Sequence, residues 1–167
     1  MRSKAEIREI ILSAFDGVTL DGGISLEQAN VIDNYGRGVT SEEFKALPEN
    51  EITDDWRTIP DTTLDGAENI AHLDEKGYRY YIPAFMLRLL NSYDPGSMMT
   101  IGTLSSLYPK TDSQTYCYSC LTGQQLRAIA EYVKALPSFV ELWGEDKRIV
   151  ERAYRNYWSK YVESNEI

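Results

Sequence analysis

Histidine and cysteine are the scarcest chemistry-bearing residues of this chain: one histidine, His72, and two cysteines, Cys117 and Cys120, in 167 residues. Two cysteines three apart make no disulfide framework. With only one further Cys/His ligand in the chain, a four-ligand zinc site cannot be assembled. Long apolar runs are missing too. The nearest, YYIPAFMLRLL, is interrupted by Pro83 and Arg88 and falls short of the ~20 residues a membrane span needs. The opening MRSKAEIREIILSAFDG is interrupted by Glu6, Arg8 and Glu9, so it has no apolar core of an export signal. No membrane association is expected, and the cytoplasm is the expected compartment. Positive charge is in deficit, with 17 Lys and Arg against 26 Asp and Glu and a net charge of −9. Bulk charge of that sign does not grip phosphate backbones, so no nucleic-acid partner is expected. The hydrolase elbow GxSxG, the zinc motif HExxH, the phosphate loop of nucleotide hydrolases and the dinucleotide fingerprint GxGxxG do not occur. No catalytic residues, metal site or cofactor are assigned.

What remains is an ordinary globular balance, 43% hydrophobic and 26% charged, with no repeat and no linker. One domain over residues 1–167 is expected. Ile7, Ile10, Ile11, Ala14 and Phe15 form one helical stripe. Ser3 and Glu6 stand at the two positions of a capping box, and Asp16-Gly17 ends the helix. Ser25 and Gln28 repeat the box for a second helix reaching about Asn34. Ser41 opens the short helix SEEFKAL, and Thr53 or Asp54 caps a segment around Trp56. NIAHLD and YRYYI, separated by EKG, read as a three-residue β-hairpin with glycine in the left-handed position. Pro83 would then begin the next helix. Met98 to Leu107 is expected to be helical, and TYCYSCL a short strand. Thr122 with Gln125 caps a helix striped by Leu126, Ile129, Ala130 and Val133, which Pro137 ends or kinks. The last helix spans about Glu145 to Val162. The expected fold is α+β and mainly α: about six helices packed around one short antiparallel hairpin at residues 69–82.

Two motifs invite chemistry. The loop after the first helix resembles a calcium-binding loop, but aligning Asp21-Gly22 with its fifth and sixth positions puts Gly17 first and Gln28 twelfth, where a bidentate Glu is required. Cys117 and Cys120 precede a helix, whose N-terminus lowers thiol pKa values. Paired with His72, either one would give a small thiol-dependent enzyme or redox protein, the alternative reading of function. The final helix interleaves Lys147, Arg148, Arg152, Arg155 and Lys160 with Tyr154, Tyr157, Trp158 and Tyr161. That pattern suits single-stranded nucleic acid. The helical spacing of Val150, Ala153, Tyr154, Tyr157, Trp158 and Tyr161 favours a core stripe with a solvated basic back.

Charge is distributed unevenly. Between Glu42 and Glu75 lie eleven acids and two bases, Lys45 and Arg57, so this stretch carries the whole net charge. Concentrated acidity of this kind speeds and selects encounters with a basic partner. Asp54, Asp55, Trp56, Asp61, Asp65 and Glu68 are the expected partner-binding residues, with Trp56 as an aromatic anchor. The leading reading is a small acidic cytoplasmic interaction protein, in its sharpest form an immunity-type inhibitor that covers the basic surface of a toxin or effector enzyme.

Several segments carry a resemblance. W-R-T-I-P at 56–60 and H-L-D-E-K-G-Y-R-Y-Y-I-P-A-F-M at 72–86, with I-x-x-A-F-D-G-V at 11–18, G-I-S-L-E-Q-A at 23–29 and L-T-G-Q-Q at 121–125, resemble an uncharacterised family of small bacterial proteins known only as a domain of unknown function. The resemblance covers most of residues 7–136 and implies that these segments form one domain. It implies no activity, and the two cysteines are not part of its pattern.

Overall fold

The computed structural model describes residues 1–162, so the last five residues of the expected domain lie outside it. Its α-helices are α1 (Lys4–Ala14), α2 (Leu26–Asp33), α3 (Ser41–Ala46), α4 (Asp61–Asp65), α5 (Glu75–Asn91), α6 (Met98–Ser106), α7 (Gly123–Phe139) and α8 (Glu145–Asn156). Short 3-10 turns at Leu47–Asn50, Trp56–Thr58, Ile70–His72, Asp112–Tyr118 and Trp158–Tyr161 join or extend them. Among the described residues there is no strand. α7 packs against α1 on one side and α8 on another, and α5 contacts α1, α4, α6 and α7. The buried apolar side chains form one contiguous cluster.

Local sequence accounts for most helix starts. The capping boxes Ser3/Glu6, Ser25/Gln28 and Thr122/Gln125 are all formed. Each satisfies backbone N–H groups that a first turn leaves without partners. Thr40, one residue before the expected Ser41, caps α3, and Asp55 caps the turn at Trp56.

The hairpin expected at 69–82 is overturned. Residues 70–72 form a 3-10 turn and α5 begins at Glu75, so EKG is a first helical turn and not a β-turn. Asp74 caps it, its Oδ1 accepting from the N–H groups of Gly77 and Ile24, both at 2.8 Å. Gly77 is there because the Ile24 carbonyl crosses the helix at that point. A Cβ would collide with that oxygen and lie 3.0 Å from Asp74 Oδ1. Tyr80, Tyr81 and Ile82 are consecutive and all buried. A half-buried strand alternates its faces, whereas a helix sheathed on all sides buries consecutive residues. Surrounding helices thus override the β-propensity of the tyrosines. Pro83 lies inside α5, and the helix continues eight residues beyond it. The expected strand at TYCYSCL is likewise a 3-10 turn over most of its length.

α8 stops at Asn156. Tyr157 leaves helical geometry (φ −136°, ψ −57°), and a 3-10 turn follows. The aromatic stripe does face the core: Val150, Ala153 and Trp158 are buried, and Tyr154, Tyr157 and Tyr161 pack against it half-exposed.

Candidate functional site: an acidic surface with two clefts

The six expected contact residues fall into two groups. Asp61 and Asp65 sit one helical turn apart on α4 and grip Arg88 of α5. Arg88 donates from Nε to Asp65 Oδ1 (2.8 Å), from Nη2 to Asp65 Oδ2 (2.7 Å) and from Nη1 to Asp61 Oδ2 (3.3 Å). The Asp65 contact is a bidentate fork, and it holds the Asp65 carboxyl below the usual carboxylate range. Asp55 plays a similar local role. It accepts from the Arg57 backbone N–H at 3.1 Å and from Arg57 Nε at 3.0 Å, and these bonds lower its pKa. Arg57 reaches on to Asp16 at 3.3 Å. Asp55, Asp61 and Asp65 are therefore each paired with an arginine within the protein, although each of the two arginines serves two carboxylates.

Trp56 is 3% exposed, and its indole N–H donates to the Phe15 carbonyl at 2.9 Å. It is a core residue that ties the acidic segment to the end of α1, and no ring face is presented to a partner. Asp54 and Glu68 are exposed carboxylates without an ion pair among the described residues, and so are Glu42, Glu43 and Glu49.

Two clefts open on this side. One, of about 240 Å³, has walls of Leu12, Trp56, Ile59 and Leu64 and a rim that includes Arg8, Arg57, Asp61 and Arg88. Of its three arginines, Arg57 and Arg88 are held by aspartates. The other, of about 440 Å³, is lined by Leu26, Leu47, Ile52, Ile59, Pro60 and Tyr81 together with Glu27 and Glu51. Glu51 Oε1 accepts from the Glu27 backbone N–H at 3.2 Å, while Oε2 is buried with no hydrogen-bond partner. Burial is the main influence on this carboxyl and pushes its pKa up, opposed by the Ser25 side chain and the Glu27 amide. The hydroxyl oxygen of Tyr81 beside it accepts from the Leu26 N–H at 3.3 Å. The turn Leu47–Asn50 supplies Leu47 and Asn50 to this cleft and includes Glu49, and α3, with Glu42 and Glu43, leads directly into that turn. Glu27 lies outside the acidic stretch in sequence. Its place at this cleft depends on α2 meeting the 47–50 turn, which no local pattern reveals.

The cysteine–histidine pair is not assembled. His72 is exposed, its Nε2 lies 3.1 Å from Asp33 Oδ1, and neither thiol is among its hydrogen-bond partners among the described residues. Cys117 donates its S–H to the Gln114 carbonyl at 3.6 Å, and burial pushes its thiol up to about 12. A nucleophilic cysteine needs the opposite shift. Both cysteines are free thiols. The expected calcium-loop mimic is a turn, with Asp21 and Gly22 in left-handed geometry and Asp21 facing Lys76 and Arg79. Among the described residues, no three His, Cys, Asp or Glu side chains converge as a metal site. No described helix is long and apolar enough to cross a membrane.

Residues 3–162 match the sequence model of a family described as "Family of unknown function (DUF6714)". No curated protein and no solved structure matches the chain.

Proposed function

Because the chain belongs to DUF6714, a family whose description assigns no activity, its function is read from its surface, and we propose that it is a cytoplasmic interaction protein that docks a basic protein partner on the acidic face around Glu51. In its sharpest form it is an immunity-type inhibitor that covers the basic active-site surface of a toxin or effector enzyme. The observation that carries this reading is the 440 Å³ cleft, whose apolar walls hold two carboxylate residues, Glu27 and Glu51, and no cation among the described lining residues. A lysine or arginine side chain entering the cleft would be drawn by these carboxylates and lay its methylene stem on Leu47, Ile52 and Pro60. Glu42, Glu43 and Glu49 on the neighbouring helix and turn would steer a basic surface toward that contact.

The proposed contacts keep Asp54 and Glu68 from the expected set and add Glu49 and Glu51; Asp55, Trp56, Asp61 and Asp65 already have partners within the protein. The test is to isolate the partner on the tagged chain and then titrate the purified partner by calorimetry at low and high salt. Glu51→Gln and Glu49→Lys should each weaken binding by about tenfold or more, and Glu49→Lys should also flatten the salt dependence. Expression of the wild-type chain, but not the double variant, should relieve any toxicity of the partner. A partner that binds both variants as it binds the wild type would remove the proposal.

A further inference from the structure

Although the chain is acidic overall, one of its clefts is basic. About 900 Å³ in volume, it lies between α8 and the segment after α6. Arg148, Arg152, Asn156 and Lys160 all line it. They are spaced four apart, so Arg148, Arg152 and Asn156 form one ridge of α8, which Lys160 extends in the following turn. Opposite them stand Tyr108 and Lys110. The single acid among the lining residues is Glu145, which pairs with Arg148 at 3.1 Å. Lys160 Nζ rests 4.0 Å from the centre of the Tyr157 ring, and Lys110 Nζ lies 5.8 Å from that of Tyr108. Arg152 has no ion pair among the described residues.

Like charges four apart on a helix repel, and nothing in the core requires this ridge, whose arginines are exposed. An anion in the cleft would relieve that repulsion. The charge balance bears on its size. A long polyanion would extend past the cleft onto a body with a net charge of −9, whereas a short one confined to the cleft meets only its local cations. The volume is within the range of small-ligand sites, and tyrosine supplies a flat surface for a ring.

We propose that this cleft binds a nucleoside polyphosphate, with its phosphates on Lys110, Arg148 and Arg152 and its base against Tyr108. The site is separate from the acidic docking face. Calorimetry and thermal melting with ATP, GTP, adenosine, inorganic triphosphate and a short oligothymidylate distinguish the contributions. ATP or GTP should bind saturably and raise the melting temperature, with adenosine and triphosphate each at least about tenfold weaker. Arg152→Glu and Lys110→Glu, on different segments, should each lower nucleotide affinity by at least about tenfold while the ligand-free protein keeps its circular dichroism and melting temperature. Tyr108→Leu should weaken ATP more than triphosphate, and Glu49→Lys should leave nucleotide binding unchanged. No saturable binding of either nucleotide, undiminished binding in whichever charge variant folds, or tighter binding of the oligothymidylate than of ATP would overturn the proposal.

Discussion

Replacing Gly77 by alanine probes α5 where another segment crosses it. In an open helix the change stabilises by about 1 kcal/mol, because alanine loses less backbone freedom on folding. Here a Cβ would run into the Ile24 carbonyl oxygen, and the loop cannot move away cheaply. A Cβ on Gly23 in that loop would itself lie 2.6 Å from the Gly77 amide nitrogen, so the two backbones are in direct contact. Relief requires separating the loop from α5, which stretches the 2.8 Å bond from the Ile24 N–H to the Asp74 carboxylate. Overpacking of this kind costs about 1–3 kcal/mol, and a hydrogen bond to a charged group contributes about 1.5–3 kcal/mol. After the propensity gain is subtracted, a net loss of roughly 1.5–5 kcal/mol is expected. That corresponds to a fall in melting temperature of about 3–20 °C for a chain of this size. Gly123→Ala is the matched control. It lies in the first turn of α7 with no atom within 4 Å of a Cβ and no left-handed backbone, so it should be neutral or stabilising by up to about 1 kcal/mol. Urea unfolding of both variants reads the two signs. If Gly77→Ala proved as stable as the wild type, the close crossing and the placement of α5 built on it would be wrong.

Trp56→Phe leaves the Phe15 carbonyl without its donor and should destabilise by about 1–3 kcal/mol in urea unfolding; an unchanged midpoint would return Trp56 to the surface. Asp65→Asn addresses pH. The folded-state pKa of Asp65 is lowered, so its contribution is present above the unfolded value of about 4 and is lost as pH falls through the folded value. The pair is largely solvent-exposed, which limits the effect to below about 1 kcal/mol. The variant should lose a little stability at neutral pH and show a shallower decline in acid, followed by melting temperature from pH 7 to pH 2; a slope equal to the wild type's would refute the Arg88 assignment. Cys117, raised from 9.0 to about 12, has a thiolate fraction near neutrality about three orders of magnitude below that of an unperturbed thiol. Mass spectrometry of iodoacetamide-treated protein should find it labelled far more slowly than added glutathione, and comparable rates would reopen a nucleophilic role.

The legible parts of the sequence are those whose signals are local. α1, α2 and α7 pair a capping box with an apolar stripe, and each starts at the expected residue. α5 conceals itself for a physical reason: a helix buried on every side has no polar face, so no period of 3.6 marks it. Its tyrosines suit strands in other settings, and EKG resembles a turn until Ile24 is seen to cross Gly77. The charge of residues 42–75 was also legible, but its compensation was not. Arg88 lies 23 residues beyond Asp65 and 27 beyond Asp61, and only the packing of α4 on α5 brings them together. Trp56 looked like an anchor because sequence does not show which neighbour takes an indole N–H. The basic residues of the last helix were visible as a solvated face, but the opposite wall at Tyr108 and Lys110 was not.

One feature of the packing connects these observations. α1 and α6 both end without a basic residue in the last turn, yet their terminal carbonyls are not left to water. Gln125 donates to Ala14 O and Trp56 to Phe15 O at the end of α1. Trp158 donates to Leu107 O, and Tyr118 and Tyr78 to Ser106 O, at the end of α6. Neutral side chains from distant segments thus do what lysines and arginines often do at helix C-termini. Each donation also locks a tertiary contact: the acidic segment and α7 onto α1, and the 112–118 turn, α5 and the Trp158–Tyr161 turn onto α6. Arginine and lysine are not needed at these two ends; in the basic cleft Arg148 pairs with Glu145 and Lys110 lies over Tyr108, while Arg152 has no ion pair among the described residues. Charge reversal at Glu49, Lys110 or Arg152 should therefore change binding without unfolding the protein, whereas loss of a neutral donor such as Trp158 should do the reverse.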